Sequence, residues 1–268
     1  MPELPEVETA RRTLAPHMIG RRIVGVEIGR PQVVRSHTPK EAAHILTGLT
    51  CRGITRRGKT LVFDLGPVWT MTFHFSLWGT ILALDRPIDD GATAVVLTLD
   101  GAKDVVEFRE LQLSNLNLYP TAALGGVEYL ASLGPDPLDR AVTAAKFRRL
   151  IDGRGAIRNL LTDQTRLAGI GNLWALEILF AAGIRPDRKI DSLRDDEWKQ
   201  LYRATRSVLA RGIRAGGEPE FIDADGRKGR FPLAVYGRGG EPCPVCGRPI
   251  KAGKVAGRPA FYCAKDQR

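Results

Sequence analysis

Long apolar runs, leader-like segments, cysteine and acidic charge are all scarce in this 268-residue chain, and each shortage excludes something. No run of 18 or more apolar residues occurs, so no membrane-spanning helix is expected. The first twenty residues are polar and carry no apolar leader core, which points to the cytoplasm. Cysteine is limited to Cys51, Cys243, Cys246 and Cys263, too few for a disulfide framework in a chain of this length. Acidic residues number 30 against 40 Lys and Arg, a formal charge of +10, which suits a polyanion partner. Nucleic acid is favoured over anionic lipid because no basic amphipathic helix is evident. The imbalance is local: from Gly226 to Arg268 ten Lys/Arg face only Glu241 and Asp266, a net +8. A solvated basic tail would share that composition.

With 43% hydrophobic residues the chain can bury a core, and its length suits one to two domains. Between Arg22 and Tyr119 the pattern is β. Thr70 to Phe75 alternates, with Met71, Phe73 and Phe75 on one face and Thr70, Thr72 and His74 on the other. Thr60–Leu65, Ala94–Leu99 and Val105–Phe108 read as further strands, and Asp100-Gly101 as a hairpin turn. Short strands at this spacing predict a sandwich or barrel. The Pro-rich junction Gly134-Pro-Asp-Pro137 marks a domain boundary. Beyond it, helical spacing covers Thr143–Ile151, Ile157–Asp163, Leu173–Ala182 and Ser192–Arg211, with Asn172 placed as an N-cap and Gly183 as a C′ residue. Ala215 to Gly229 reads as a long mobile loop.

The opening Met1-Pro-Glu-Leu-Pro-Glu-Val-Glu8 needs a reason. A small second residue allows Met1 to be removed, leaving Pro2 with a free secondary amine. An α-amino group titrates near ~8, far below lysine, so it is partly unprotonated at neutral pH and can form a Schiff base. Pro5 suits the first turn of a helix, Glu3 and Glu6 lie near its positive end, and Val7, Ala10 and Leu14 form the buried stripe. Two carboxyls beside a nucleophilic amine are acid–base equipment. An ordinary capped helix would use the same residues.

Near the other end, Cys243-Pro-Val-Cys246 and Cys263-Ala-Lys-Asp266 give C-x2-C-x16-C-x2-D. Two such clamps can turn four side chains toward one tetrahedral zinc, with a carboxylate oxygen as the unusual fourth ligand. A metal-free hairpin is the alternative. By contrast, Gly53-Ile-Thr-Arg-Arg-Gly58-Lys59-Thr60 matches a phosphate-binding loop only as a string. That motif needs a helix after it, whereas Thr60 opens a strand; Gly58-Lys59 reads as a hairpin turn presenting a cation, and nucleotide hydrolysis is set aside.

Together these residues resemble the formamidopyrimidine-DNA glycosylase and endonuclease VIII family of base-excision repair enzymes. The resemblance rests on the amino-terminal octapeptide, Arg57-Gly-Lys59, Leu133-Gly-Pro-Asp-Pro-Leu138, Asp163-Gln164, Gly169-Ile-Gly-Asn172, Val235-Tyr-Gly-Arg238 and the hairpin carrying Arg258, and it covers nearly the whole chain. It implies an α+β fold: an N-terminal helix with a β-sandwich catalytic domain (1–133), a helical domain with a helix–two-turn–helix (134–230), and a C-terminal zinc-ribbon hairpin (231–268). It also implies a bifunctional DNA glycosylase and AP lyase that excises oxidised bases, 8-oxoguanine and formamidopyrimidines, from double-stranded DNA and then carries out β,δ-elimination. A monomer in the bacterial cytoplasm or nucleoid is expected, with DNA held in a cleft between domains.

Residue by residue, the resemblance makes Pro2 the nucleophile at C1′, Glu3 the proton donor that helps open the sugar, and Glu6 the group holding the amine. Lys59 would contact phosphate and assist the first elimination; Arg258 would clamp phosphates and assist the second. Asn172 would grip phosphate at a helix start, and Arg158 stands where the family usually has a lysine. Leu77 and Trp78 would be the wedge filling the space left by an extruded base, unless they simply pack beneath their turn. The zinc ligands would be Cys243, Cys246, Cys263 and Asp266, and the loop 215–229 falls where some members cover the everted base.

Three departures stand out. The Arg-Arg-Phe segment with which the family reads the orphaned partner base is replaced by Arg109-Glu-Leu-Gln-Leu-Ser-Asn115. The Ser76-Leu-Trp78 wedge resembles the Gln-Leu-Tyr type of endonuclease VIII, which acts on oxidised pyrimidines. Asp266 replaces the fourth cysteine. Two alternatives therefore stay open: endonuclease VIII-like specificity, and a non-catalytic damaged-DNA-binding protein.

Overall fold

The computed structural model describes residues 1–268 except 78, 89, 102–104 and 110–112. The chain divides into two compact units, Met1–Ala131 with Pro219–Arg230, and Ser132–Glu218 with Phe231–Arg268. The expected mixture of helix and sheet is present.

The first unit begins with helix α1 (Leu4–Met18), which buries Leu4, Val7, Ala10 and Leu14. Helix α2 (Pro39–Leu46) and two four-stranded antiparallel sheets follow. One has the order β1 (Ile23–Ile28), β6 (Thr93–Leu99), β7 (Val105–Arg109), β5 (Thr80–Leu84). The other is sequential except at its edge: β2 (Gly53–Arg57), β3 (Thr60–Asp64), β4 (Trp69–His74), β8 (Asn115–Pro120). Their inner faces share one core, in which Phe73 meets Phe108 with ring centroids 4.9 Å apart. The alternation in β4 is real: Met71, Phe73 and Phe75 are fully buried. Thr70 and Thr72 on the other face are buried as well, because residues 121–131 close over that side and Thr121 hydrogen-bonds Thr70 at 3.1 Å. Gly58 (φ +58°) makes the tight β2–β3 hairpin, with Arg57 opposite Thr60, so Lys59 stands at a turn and the phosphate-loop reading is excluded.

The stretch expected as a free loop is instead a packed strap. Phe221 and Ala224 are buried in the sandwich core, Ala83 N–H donates to the Ala224 carbonyl at 2.9 Å, and Ala224 N–H donates to Thr13 Oγ1 on α1 at 3.1 Å. Two buried apolar side chains, with Asp223 buried between them, dock an otherwise polar, glycine-rich stretch. The sequence division at 134–230 thus differs from the structure, which groups Pro219–Arg230 with the first unit.

In the second unit, helices α4 (Ala144–Ile151), α5 (Ile157–Leu161), α6 (Asn172–Ala181) and α7 (Asp195–Arg214) follow the short α3 (Glu128–Ala131) of the first. Helix α6 is apolar almost all round and lies at the centre. Gly212 lets α7 approach it: a Cβ there would lie 2.3 Å from the Trp174 ring. Between α5 and α6, the Gln164 amide clamps two turns, donating to the Thr162 and Ile170 carbonyls at 2.8 and 2.7 Å and accepting Gly169 N–H at 2.8 Å. These bonds tie Asp163-Gln164 to Gly169-Ile-Gly-Asn172 within one turn pair. The chain ends in a hairpin, β9 (Lys251–Val255) and β10 (Arg258–Tyr262), whose base packs on Leu176 of α6.

A buried carboxylate joins helix to hairpin. Glu177, 3% exposed, accepts the N–H groups of Ala234, Val235 and Tyr236 at 2.9, 3.0 and 2.9 Å. Burial raises its pKa, while those three donors oppose the rise. Replacing Glu177 by Ala should lower unfolding free energy by about 2–4 kcal/mol, because three buried donors lose their acceptor at once. Urea unfolding measures this, and Glu177→Gln should recover part of the loss.

Candidate active site and nucleic-acid interface

In the first unit the chemistry-bearing residues gather at the start of α1. Pro2, Glu3 and Glu6 are all buried. Glu3 is the N-cap in extended conformation, and its N–H donates to Glu6 Oε2 at 2.9 Å, as in a capping box. The Glu6 carboxylate therefore fixes the backbone of residue 3, and through it the direction of Pro2.

One turn on, Glu8 gathers three guanidinium groups. Arg11 and Arg12 bond it at 2.8 Å, and Arg56 Nε lies 3.4 Å away. Burial favours the neutral acid, but the hydrogen bonds from Arg11 and Arg12 and the charges of Arg11 and Arg56 bring its pKa down to about 2. Arg56 also donates to the Gly58 carbonyl at 2.9 Å. A relay Glu8–Arg56–Gly58 thus ties α1 to the turn that carries Lys59, itself only 8% exposed. Beside that turn, His74 has a pKa lowered to about 4 by burial, with Lys59 and Arg35 adding repulsion. It is neutral at physiological pH. Ser76 N–H donates to its Nδ1 at 3.1 Å, which leaves the proton on Nε2 as a donor. His74 lines a cleft of about 510 Å³ with Arg35, Thr60, Thr72, Asn117 and Tyr129.

At the end of the β4–β8 pair, two aliphatic tips stand in solvent. Leu77 is 46% exposed and Leu113 65% exposed. Leu77 is where the sequence placed a wedge; Trp78 lies outside the described residues. Leu113 went unrecognised, because no periodicity marks it. Its signal is conformational: φ +60°, unusual for leucine.

The second unit holds the other cations. Arg158 is 2% exposed; its Nη1 donates to Asn159 at 2.8 Å, while Nε and Nη2 have no hydrogen-bond partner. Burial lowers its pKa, and the charge of Arg258 adds to the effect. These two guanidinium groups are brought close. Arg258 is exposed beside the hairpin turn Ala256-Gly257, as expected. Asn172 differs from expectation. Gly171 is the N-cap and Asn172 the first helical residue, its Nδ2 donating to the Pro259 carbonyl at 3.0 Å. In this structure its side chain ties α6 to β10. Nearby, Cys243, Cys246, Cys263 and Asp266 place their ligand atoms within 4.8 Å of one another. The Asp266 carboxylate lies 3.1 and 3.2 Å from the Cys243 and Cys263 sulfurs. Such spacings fit four ligands around one zinc, with sulfur at about 2.3 Å and oxygen at about 2.0 Å from the metal. This is a structural zinc site, with three thiolates and one carboxylate filling every position.

A sandwich led by a helix, a clamped helix–two-turn–helix and a zinc-ribbon hairpin together define the helix–two-turn–helix class of DNA glycosylases. Residues 1–112 match the Formamidopyrimidine-DNA glycosylase N-terminal domain, 133–221 the Formamidopyrimidine-DNA glycosylase H2TH domain, and 240–268 the zinc finger found in FPG and IleRS. The formamidopyrimidine-DNA glycosylase of Desulfitobacterium hafniense is 40% identical over 270 residues, covering 98% of each chain. That of Pelotomaculum thermopropionicum is 37% identical, covering 100% of this chain and 99% of its own. Among solved structures, Lactococcus lactis Fpg with abasic-site DNA aligns at TM-score 0.89, 29% identity and 99% of both chains. The MutM (Fpg) protein of Thermus thermophilus aligns at TM-score 0.86 and 34% identity, covering 99% of this chain and 98% of its own. The chain belongs to the formamidopyrimidine-DNA glycosylase family.

The relay from Glu8 has a measurable signature. Its folded-state pKa lies below the unfolded value of 4.5, so its contribution is complete above about pH 4.5 and lost as pH falls toward about 2. Glu8→Gln should therefore cost about 1–2 kcal/mol at neutral pH, after allowing for solvent screening. The gap to the unaltered protein should close between pH 4.5 and 2, as followed by thermal unfolding.

Proposed function

We propose that this protein is a bifunctional DNA glycosylase and AP lyase, acting on oxidised bases in double-stranded DNA from the amine of Pro2. The observation that carries this is the buried Pro2–Glu3–Glu6 start of α1, where a carboxylate is spent on orienting the terminus. Removal of Met1 frees the Pro2 nitrogen. Its lone pair attacks C1′ of the damaged nucleotide, and the glycosidic bond breaks, the base leaving with the bonding pair and taking up the proton that the Pro2 nitrogen loses as it bonds to carbon. Glu3 gives a proton to O4′ as the C1′–O4′ bond opens, and an iminium links Pro2 to the sugar. That cation acidifies C2′–H, so proton loss there expels the 3′ phosphate; a second elimination expels the 5′ phosphate. Lys59 stabilises the first leaving phosphate and Arg258 the second.

The partner is DNA on physical grounds. Arg158 offers two unpartnered N–H-bearing nitrogens with Arg258 beside it, an arrangement that a phosphate oxygen satisfies. The substrates are oxidised purines and ring-opened formamidopyrimidines. Oxidised pyrimidines are a second class, favoured by the aliphatic Leu77 and Leu113 tips and by the solved Lactococcus lactis Fpg complex with oxidised-pyrimidine DNA.

Borohydride reduction of a reaction on abasic-site DNA should trap a covalent adduct whose mass requires loss of Met1. Pro2→Gly should slow base release by several orders of magnitude. An active preparation that yields no adduct, or that retains Met1, overturns the reading in favour of a damage-binding protein without catalysis. Arg258→Ala should weaken binding to all duplexes alike and reduce the salt slope of log K by about one, as expected for one lost phosphate contact.

A further inference from the structure

Arg56 joins two parts of the first unit that the proposed reaction must hold in register. Its Nε lies 3.4 Å from Glu8 Oε2 on α1, and its Nη1 donates to the Gly58 carbonyl at 2.9 Å. The side chain is only 8% exposed. On the helix side the acceptor is itself fixed. Arg11 grips Glu8 with two nitrogens, at 3.0 and 2.8 Å, and Arg12 with one at 2.8 Å. Glu8 stands five residues beyond the N-cap Glu3, about 7.5 Å along the same rigid helix, so its place relative to Pro2 is set.

On the strand side the acceptor is a particular peptide. Arg57 pairs with Thr60, so Gly58 and Lys59 are the two central residues of the hairpin. Gly58 has φ +58° whereas Lys59 keeps a negative φ, the pattern of a type II′ turn. The Gly58 carbonyl belongs to the peptide between them. Flipping that peptide converts the II′ turn into I′ and makes the Lys59 φ positive. The bond from Arg56 to this carbonyl opposes the flip. It thereby sets the direction in which the buried Lys59 side chain leaves the turn.

From this we propose that Arg56 is a positioning residue for strand cleavage, holding the Lys59 turn in register with the Pro2 amine through Glu8. The inference rests on the bifunctional reading above and extends it to a side chain that acts through Lys59. In the first elimination the C2′ proton passes to water. Its bonding pair forms the C2′–C3′ double bond, and the C3′–O bond breaks with the phosphate keeping its pair. Lys59 must meet that phosphate while Pro2 still holds C1′, so the spacing between the two groups bears on this step. Formation of the iminium uses Pro2 and Glu3 instead.

The test follows both steps on one abasic-site duplex under single-turnover conditions, with borohydride trapping the iminium and gels counting strand breaks. Arg56→Gln removes the double contact yet leaves Glu8 paired with Arg11 and Arg12. Strand cleavage should slow by about tenfold or more, against the ~100-fold that a 1 Å misplacement can cost, and trapped iminium should accumulate. Arg56→Lys keeps the charge, but its single nitrogen cannot span both acceptors, so it should show the same accumulation. In a Lys59→Ala background, adding Arg56→Gln should change strand cleavage by less than about twofold, because the group being positioned is already gone. Unchanged cleavage, equal slowing of adduct formation and cleavage, or full additivity with Lys59→Ala each overturns the inference. So does a salt slope of binding lowered by about one in Arg56→Gln, which marks a phosphate contact. Absence of both base release and adduct in the unaltered protein overturns the glycosylase reading and this inference with it.

Discussion

The chemistry proposed for the first unit depends on one hydrogen bond, from Glu3 N–H to the Glu6 carboxylate at 2.9 Å. The first N–H groups of any helix lack intrahelical partners, and a chain terminus frays unless something holds it. In the proposed reaction the terminus is the nucleophile and must not fray, because a nucleophile contributes most when its approach is fixed before substrate arrives. Glu6 answers both demands with one carboxylate. Burial reinforces it, since solvent cannot compete for a side chain that is 1% exposed. Val7 and Leu14, fully buried in the sandwich core, then keep α1 from rotating the terminus away.

What the sequence made legible follows periodicity and chemical identity. The strands near Phe63, Phe73 and Phe108, the Gly58 hairpin and the cluster of three cysteines with Asp266 were readable because alternation, a turn glycine and a repeated x2 spacing are local. Gly183 also keeps its left-handed backbone at the end of α6. The less legible features depend on distant partners. Glu177 reads as a helix residue among apolar neighbours, and nothing in its surroundings announces three N–H donors from 234–236. The strap reads as a loop because glycines and charged residues outnumber Phe221 and Ala224 across the stretch. Asn172 carries the right side chain for an N-cap but sits one position late, its amide donating instead to the distant Pro259 carbonyl.

Net charge also needs to be separated into cations that are neutralised and cations that are not. Arg109, Arg56 and Arg238 are structural: Arg238 bonds Glu241 at 2.8 Å and the carbonyls of Leu233, Ala234 and Pro242. Guanidinium groups used this way satisfy several acceptors at fixed angles, a task lysine cannot perform. Arg158 is the reverse case, buried with part of its donor set unused and with Arg258 raising the local potential. Bulk charge brings a polyanion close from any side; only a preorganised, under-satisfied pair gives it a preferred seat.

Strain at Leu113 follows the same logic. A left-handed leucine costs about 1–2 kcal/mol, and leaving its side chain in water adds a further loss relative to burial. Both costs are met by contacts that act on the backbone, from Ser114 to Phe75 and from Arg35 to the Leu113 carbonyl, so the side chain stays free. Glu107 likewise holds Arg109 against the sheet, so the guanidinium at this end is committed to a buried carboxylate.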